Sequence, residues 1–205
     1  MRFRPAGPSA LLVEVDSLSQ ARALHAEIGR RRAAGWAPSL LDVVPGARTV
    51  LLDGIADHRR AAADIRSWTV PPVPPGAGPV TEIHCRYDGP DLPAVAAQWR
   101  VSVAQAVRIH TSIEHEVAFC GFAPGFPYIA GLGPGREVAR RDSPRAAIPA
   151  GSVALGGEYT GVYPRASPGG WQVIGQTDAV MWDSGRDPAA LLTAGDRVRF
   201  IDVTS

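Results

Sequence analysis

The chain has 205 residues, 45% of them apolar, and a formal charge of +1 at pH 7; it can bury a core in one large or two small domains but lacks the concentrated basic face of a duplex-binding protein. All 21 basic residues are arginine and there is no asparagine, which excludes a Schiff-base lysine, a Walker-type nucleotide site with its P-loop lysine, a Ser-Lys dyad and a Cys-His-Asn triad. No apolar run approaches the length of a membrane span and Met1 to Pro5 open no signal peptide, so a soluble, cytoplasmic protein with no membrane or nucleic-acid partner is expected.

In chain order, Ala10 to Val15 is apolar and partly β-branched, hence a strand. Ser17, with Gln20 three residues on, predicts a capping box for a helix carrying Leu18, Ala21, Leu24 and Ile28 at helical spacing. Arg30-Arg31-Arg32 complement the negative end of its macrodipole and read as a solvated terminus, and Gly35 stops it. Leu40 to Val44 and Thr49 to Asp53 form a hairpin joined through Pro45-Gly46, a type II turn signature. Asp57 caps a second helix with Ala61, Ile65 and Trp68 on one face. Pro71 to Pro79 is a Pro/Gly-rich linker, and Val80 to Tyr87 alternates as a further strand. Strand, helix, strand, strand, helix, strand is the ferredoxin-like order, which sets a first domain at 1–88.

Two short helices follow as a helical connector over 89–113. Leu92, Val95, Ala96 and Trp99 mark one; Ser102 and Gln105 cap the other, which carries Val103, Val107 and His110. From 114 to 205 turn signals recur every few residues, between short apolar runs at Val117 to Phe119, Val153 to Leu155, Trp171 to Ile174, Ala179 to Trp182 and Arg197 to Ile201. This is a β-rich second domain, a barrel or sandwich. Cys85 and Cys120 lack metal-ligand spacing and read as reduced thiols; no metal site is expected.

Four features bear on chemistry. Gly121 to Tyr128 alternates aromatics with turn formers, so Phe122, Pro124, Phe126 and Tyr128 either wall a small-molecule or partner pocket or plug one end of the barrel. From Gly156 to Trp171, glycines that let a backbone approach an anion are interleaved with the hydroxyls of Thr160, Tyr163 and Ser167; tight β-turns account for the same pattern. Arg140, Arg141 and Arg145 suit bidentate grip on carboxylate or phosphate, or pair on the surface with Asp142. His110 and Glu114 have general acid/base chemistry, although a hydrogen-bonded structural histidine has the same signature and the spacing is not that of a zinc helix. Ser143, Ser152 and Ser167 lack a nucleophile elbow.

Gly121 to Tyr128, Ile148-Pro149-Ala150-Gly151-Ser152-Val153, Thr160 to Pro164 and Ser167 to Trp171 together resemble the family of 5-oxoprolinase B-type subunits (PxpB), also called KipI or allophanate hydrolase subunit 1, and the closing Ala194 to Val198 matches its end. His115 departs from the tyrosine the family commonly carries there. The resemblance implies an α+β chain: a ferredoxin-like N-terminal domain followed by a cyclophilin-like β-barrel. It implies two partners, a KipA-like chain (the C-type subunit, of the allophanate hydrolase subunit 2 family) and an A-type subunit, that together with it cleave 5-oxo-L-proline to L-glutamate. ATP with Mg acts in the complex and none is held tightly by this chain alone. Alternative roles in the family are inhibition of a sensor histidine kinase and carboxyl transfer as in urea carboxylase. An amidase of the Ser-Ser-Lys type is excluded by the missing lysine. From their chemistry, the candidate catalytic residues are His110, Glu114 and Arg141. Those for substrate or partner binding are Phe122, Pro124, Phe126, Tyr128, Ser152, Thr160, Gly161, Tyr163, Ser167, Gly169, Gly170 and Trp171.

Overall fold

A computed structural model describes residues 1–74 and 80–204, in two units, Met1–Pro75 and Gly76–Ser205. The expected linker over 71–79 lies partly outside the described residues; 71–74 carry neither helix nor strand.

The first unit runs β1 (Arg2–Pro5), β2 (Ala10–Glu14), α1 (Leu18–Ala33), β3 (Asp42–Pro45), β4 (Thr49–Asp53) and α2 (His58–Ser67). Its sheet is antiparallel in the order β1-β2-β4-β3. Period-2 alternation buries Leu11 and Val13 of β2 and Val50 and Leu52 of β4, and these meet Leu24 and Ile28 of α1 and Ala61 and Ile65 of α2 in one apolar core. Ser17 caps α1 by accepting from Gln20 N at 3.2 Å, while the Gln20 side chain accepts from Asp16 N instead of closing the box on Ser17. The arginine triplet is exposed, as expected of a solvated helix end, and its side chains are also engaged. Arg30 and Arg31 both donate to buried Glu27, and Arg32 donates to the carbonyls of Leu40 and Leu41. The hairpin turn also sits later than expected: Pro45 is still paired with Val50 in β3, Gly46 N bonds Thr49 O, and Gly46 is not left-handed, so no type II turn forms at Pro45-Gly46.

The largest departure concerns the strand expected to finish this sheet. Residues 80–85 leave the first unit, and β1 takes the edge beside β2. The first unit therefore closes at residue 75, not 88.

The second unit contains β5 (Val80–Cys85), α3 (Leu92–Gln98), α4 (Val103–Thr111), β6 (His115–Cys120), β7 (Pro127–Ala130), β8 (Arg145–Ile148), β9 (Ser152–Gly156), β10 (Tyr159–Val162), β11 (Ser167–Gly169), β12 (Gln172–Gln176) and β13 (Arg197–Asp202). Seven strands form one sheet in the order β12-β9-β10-β7-β6-β13-β5, and β8 with β11 makes a separate ribbon. Only the β13–β5 pair is parallel among these strand pairs. Arg86, just past β5, exchanges two backbone hydrogen bonds with Gln176 at the end of β12 (2.8 and 2.9 Å), which nearly closes the sheet into a barrel. The helices are no connector: Leu92, Val95, Ala96 and Trp99 of the α3 turn and Ala106 of α4 belong to the same core as Ile83, Val117, Ile129, Leu155, Val198 and Phe200. Ser102 and Gln105 form the full reciprocal capping box. Ala179 to Trp182 does not form a strand and makes one bridge, from Trp182 to Ala190. No helix among the described residues is long and apolar enough to cross a membrane.

Candidate functional site

The three candidate catalytic residues sit in three different settings, all in the second unit. Arg141 and Arg145 share a carboxylate that spacing did not reveal, Asp91. Arg145 grips it with two nitrogens, Nη1 to Oδ2 at 2.7 Å and Nη2 to Oδ1 at 2.9 Å; Arg141 Nη1 adds a bond of 2.9 Å and Val173 N another of 2.7 Å. Asp91 is buried. Burial alone would raise its carboxyl, but the Arg145, Val173 and Arg141 contacts outweigh that and hold it below the usual range. Arg141 and Arg145 therefore pair with Asp91 in place of the expected Asp142. Asp91 stands directly before Leu92-Pro93, the position of a helix cap, yet makes no capping bond; its carboxylate is diverted to residues 50 and 54 positions later.

His110, on the last turn of α4, is 1% exposed. Its Nδ1 lies 2.7 Å from the Tyr87 hydroxyl and its Nε2 3.0 Å from Thr160 Oγ1, a residue of β10. One hydroxyl donates and the other accepts, whichever tautomer is present. His115 Nε2 is 2.9 Å from the His110 carbonyl, which can only accept, so that nitrogen carries the proton. Burial, reinforced by the His115 charge, pushes His110 well below its usual value, and burial lowers His115 too. Both are neutral at pH 7. His110 and Thr160 thus tie α4, β10 and the segment after β5 together inside the fold, where no substrate reaches the ring directly. Glu114 lies on the surface and accepts from Arg197, with Arg199 also in ion-pair range. The structure does not bring His110, Glu114 and Arg141 together.

The aromatic candidates do converge. Phe126 packs edge-on against Tyr163, Trp171 and Tyr128 with centroids 5.1, 5.5 and 5.3 Å apart, and Tyr128 stacks on Phe119 at 4.3 Å. The glycines make room for rings. A Cβ on Gly161 would lie 2.7 Å from Phe126 and 2.8 Å from Trp171, and one on Gly169 would strike the Tyr163 hydroxyl. Gly170 has ordinary space around it, and its carbonyl accepts from Arg141 N. Ser167 is buried and donates to the Arg165 carbonyl. Phe122 stands apart: it is 62% exposed at φ +67, a conformation costly for a bulky side chain, and its ring rests 5.3 Å from Phe126. Pro124 is exposed beside it. Ser152 is buried in β9 with one weak contact, 3.4 Å to Gln176 Oε1.

Both cysteines are free, and burial pushes the Cys85 thiol up to about 12. No group of three or more metal-capable side chains occurs among the described residues.

The family described as carboxyltransferase domain, subdomain C and D, matches residues 1–192. The chain is 51% identical over 113 residues to the B-type subunit of 5-oxoprolinase from Escherichia coli O157:H7, covering 55% of this chain and 52% of that protein. To the Bacillus subtilis protein of the same name it is 45% identical over 128 residues, 61% of this chain and 53% of that protein. With the Haemophilus influenzae protein of that name the identity is 36% over 168 residues, 79% of each. The match thus spans about half the length of the first two relatives. Among solved structures, TTHA0988 superposes with a TM-score of 0.78 at 32% identity, over 96% of this chain and 40% of that one. Kluyveromyces lactis urea carboxylase gives 0.71 at 19% identity, over 98% and 22%, a likeness of fold alone.

Proposed function

Because the chain belongs to the carboxyltransferase domain family of subdomains C and D, we propose that it is a non-autonomous subunit of an ATP-dependent complex that opens 5-oxo-L-proline to L-glutamate. The match to the 5-oxoprolinase B-type subunit of Haemophilus influenzae over four-fifths of both chains carries this reading. Its first unit is the ferredoxin-like module, with the edge strand supplied from the N-terminus, and its second the cyclophilin-like barrel.

A lactam resists hydrolysis because its nitrogen is a poor leaving group and its carbonyl a weak electrophile. Transfer of the terminal phosphoryl group of ATP to the lactam oxygen releases ADP; water then adds to the carbon, the ring C–N bond breaks and phosphate leaves. Such steps need cations and N–H donors fixed where charge develops. In this chain Asp91 holds Arg141 and Arg145 rigid, while His110 is committed to Tyr87 and Thr160. That division supports a chain that positions charge and leaves proton transfer to the KipA-like or the A-type partner, with Mg entering on ATP. The test is to purify the chain with and without those partners and to assay ADP and glutamate from 5-oxoproline. Turnover requires the assembly; full turnover by the isolated chain overturns the proposal that it works only with partners.

The carboxyltransferase description of the matching family favours one second reading, a carboxyl-transfer component. It predicts decarboxylation of carboxybiotin by the assembly in the absence of ATP, and no glutamate from the lactam.

A further inference from the structure

A cavity of about 530 Å³ lies at the seam where Arg86 and Gln176 close the barrel, a volume usual for small-molecule sites. Three features build it. The pairing of β12 with β9 shifts register between Val173 and Gly175, and such bulges re-aim side chains at barrel rims. Gly175 is required there, since a Cβ would sit 2.5 Å from the Arg86 carbonyl and 2.6 Å from Cys85 Sγ. Gly151 is left-handed at φ +77, with its missing Cβ pointed at the Thr177 carbonyl, and this seats the start of β9 against the end of β12.

The polar groups lining the cavity are only partly used. Arg145 spends Nη1 and Nη2 on Asp91, which leaves Nε. Arg86 spends Nε on Asp88 at 2.7 Å, which leaves its terminal fork, the geometry that grips a carboxylate bidentately. Buried Ser152 has only the 3.4 Å contact with Gln176, whose own amide is fixed by a 2.6 Å bond from Nε2 to the Ala150 carbonyl. Asp178 adds a carboxylate to the lining, and Ile148 and Val173 add apolar surface. Cationic donors, a hydroxyl and a carboxylate acceptor around one apolar hollow match a ligand with a carboxylate beside an N–H and a short hydrocarbon body.

We propose that this cavity binds an α-amino carboxylate or its cyclic lactam, the ligand carboxylate on Arg86 and Arg145 and its N–H on the Ser152 hydroxyl oxygen. The choice of 5-oxo-L-proline as probe rests on the oxoprolinase reading; the cavity chemistry does not.

The test titrates the full chain, by calorimetry and ligand-observed NMR, with 5-oxo-L-proline and L-glutamate. Cyclopentanecarboxylate, which lacks the N–H, and 2-pyrrolidinone, which lacks the carboxylate, serve as controls. One of the first two binds saturably, and each control binds about tenfold or more weakly. Arg86→Gln and Ser152→Ala weaken binding by about tenfold with the melting temperature held. Neither removes the backbone bridge, the Arg86–Asp88 pair is exposed, and Ser152 gives up only its long contact with Gln176. Equal binding by these variants, or no saturable binding of either ligand, overturns the site. The assembled complex separates the two ideas. An unchanged KM for the lactam in Arg86→Gln and Ser152→Ala defeats the cavity and leaves the oxoprolinase reading intact; a wild-type complex that makes no glutamate defeats that reading while the titration still judges the cavity.

Discussion

The two units bury different chemistry. In the first, the sheet and two helices close over Leu, Val, Ile and Ala, and Glu27 is the one buried charged or polar side chain among its described residues. In the second, Asp91, His110, His115, Ser152, Thr160, Ser167, Gln172 and Thr177 are all buried. Apolar burial supplies stability with little geometric demand, whereas each buried polar group costs free energy unless a partner meets it at the right place. The second unit is therefore the more narrowly specified and the more fragile to loss of a single partner.

The sharpest way to break that contrast is Asp91→Ala. It leaves two guanidinium groups and the Val173 N–H without their acceptor, and removing one partner of such a node costs about 3–5 kcal/mol. Segment-resolved hydrogen exchange will show the loss in the second unit with protection across α1 and β4 unchanged; a cost below about 1 kcal/mol would mean the node holds nothing together. Ile65→Ala is the mirror experiment, an apolar cavity worth about 2–5 kcal/mol, with faster exchange confined to the first unit. Gly161→Ala places a methyl group against Phe126 and Trp171 and costs about 1–3 kcal/mol by overpacking, read as a lower melting temperature with shifted aromatic circular dichroism.

Acid gives a smaller test. His110 and His115 have native values lowered by burial from an ordinary 6.5. Below that pH the unfolded chain binds protons that the native one does not, so their contribution is whole above about pH 6.5 and is lost as pH falls through the depressed native values. The second unit will lose stability between about pH 7 and pH 5 more steeply than the first, where burial lowers His25; His110→Gln flattens the slope. The smallest effect is expected from Arg197→Gln, whose Glu114 pair lies at the surface and is worth under about 1 kcal/mol.

Much of the first unit was legible because its signals are local. Ser17 and Asp57 do cap α1 and α2, and the alternation in Ala10–Glu14 and Thr49–Asp53 predicts their buried faces. The edge strand was not, since Arg2–Pro5 is short and carries two arginines and a proline, with no apolar rhythm to read. Val80–Cys85 shows the complementary limit: its alternation predicts a strand but is silent on which sheet it joins. The same holds at the candidate site. Nothing in the spacing of Arg141 and Arg145 points back fifty residues to Asp91, and a glycine-rich run reads the same whether the vacated space holds a ligand or, as at Gly161, two aromatic rings.

The place of β13 has a consequence for synthesis. It lies between β6 and β5, parallel to one and antiparallel to the other, and it comes after every other strand described. Until Arg197–Asp202 clears the ribosome, the nascent chain exposes two open strand edges that have no native neighbour, a template for intermolecular pairing. A holdase that shields those edges, or slow decoding before Arg197, would decide yield independently of the final stability.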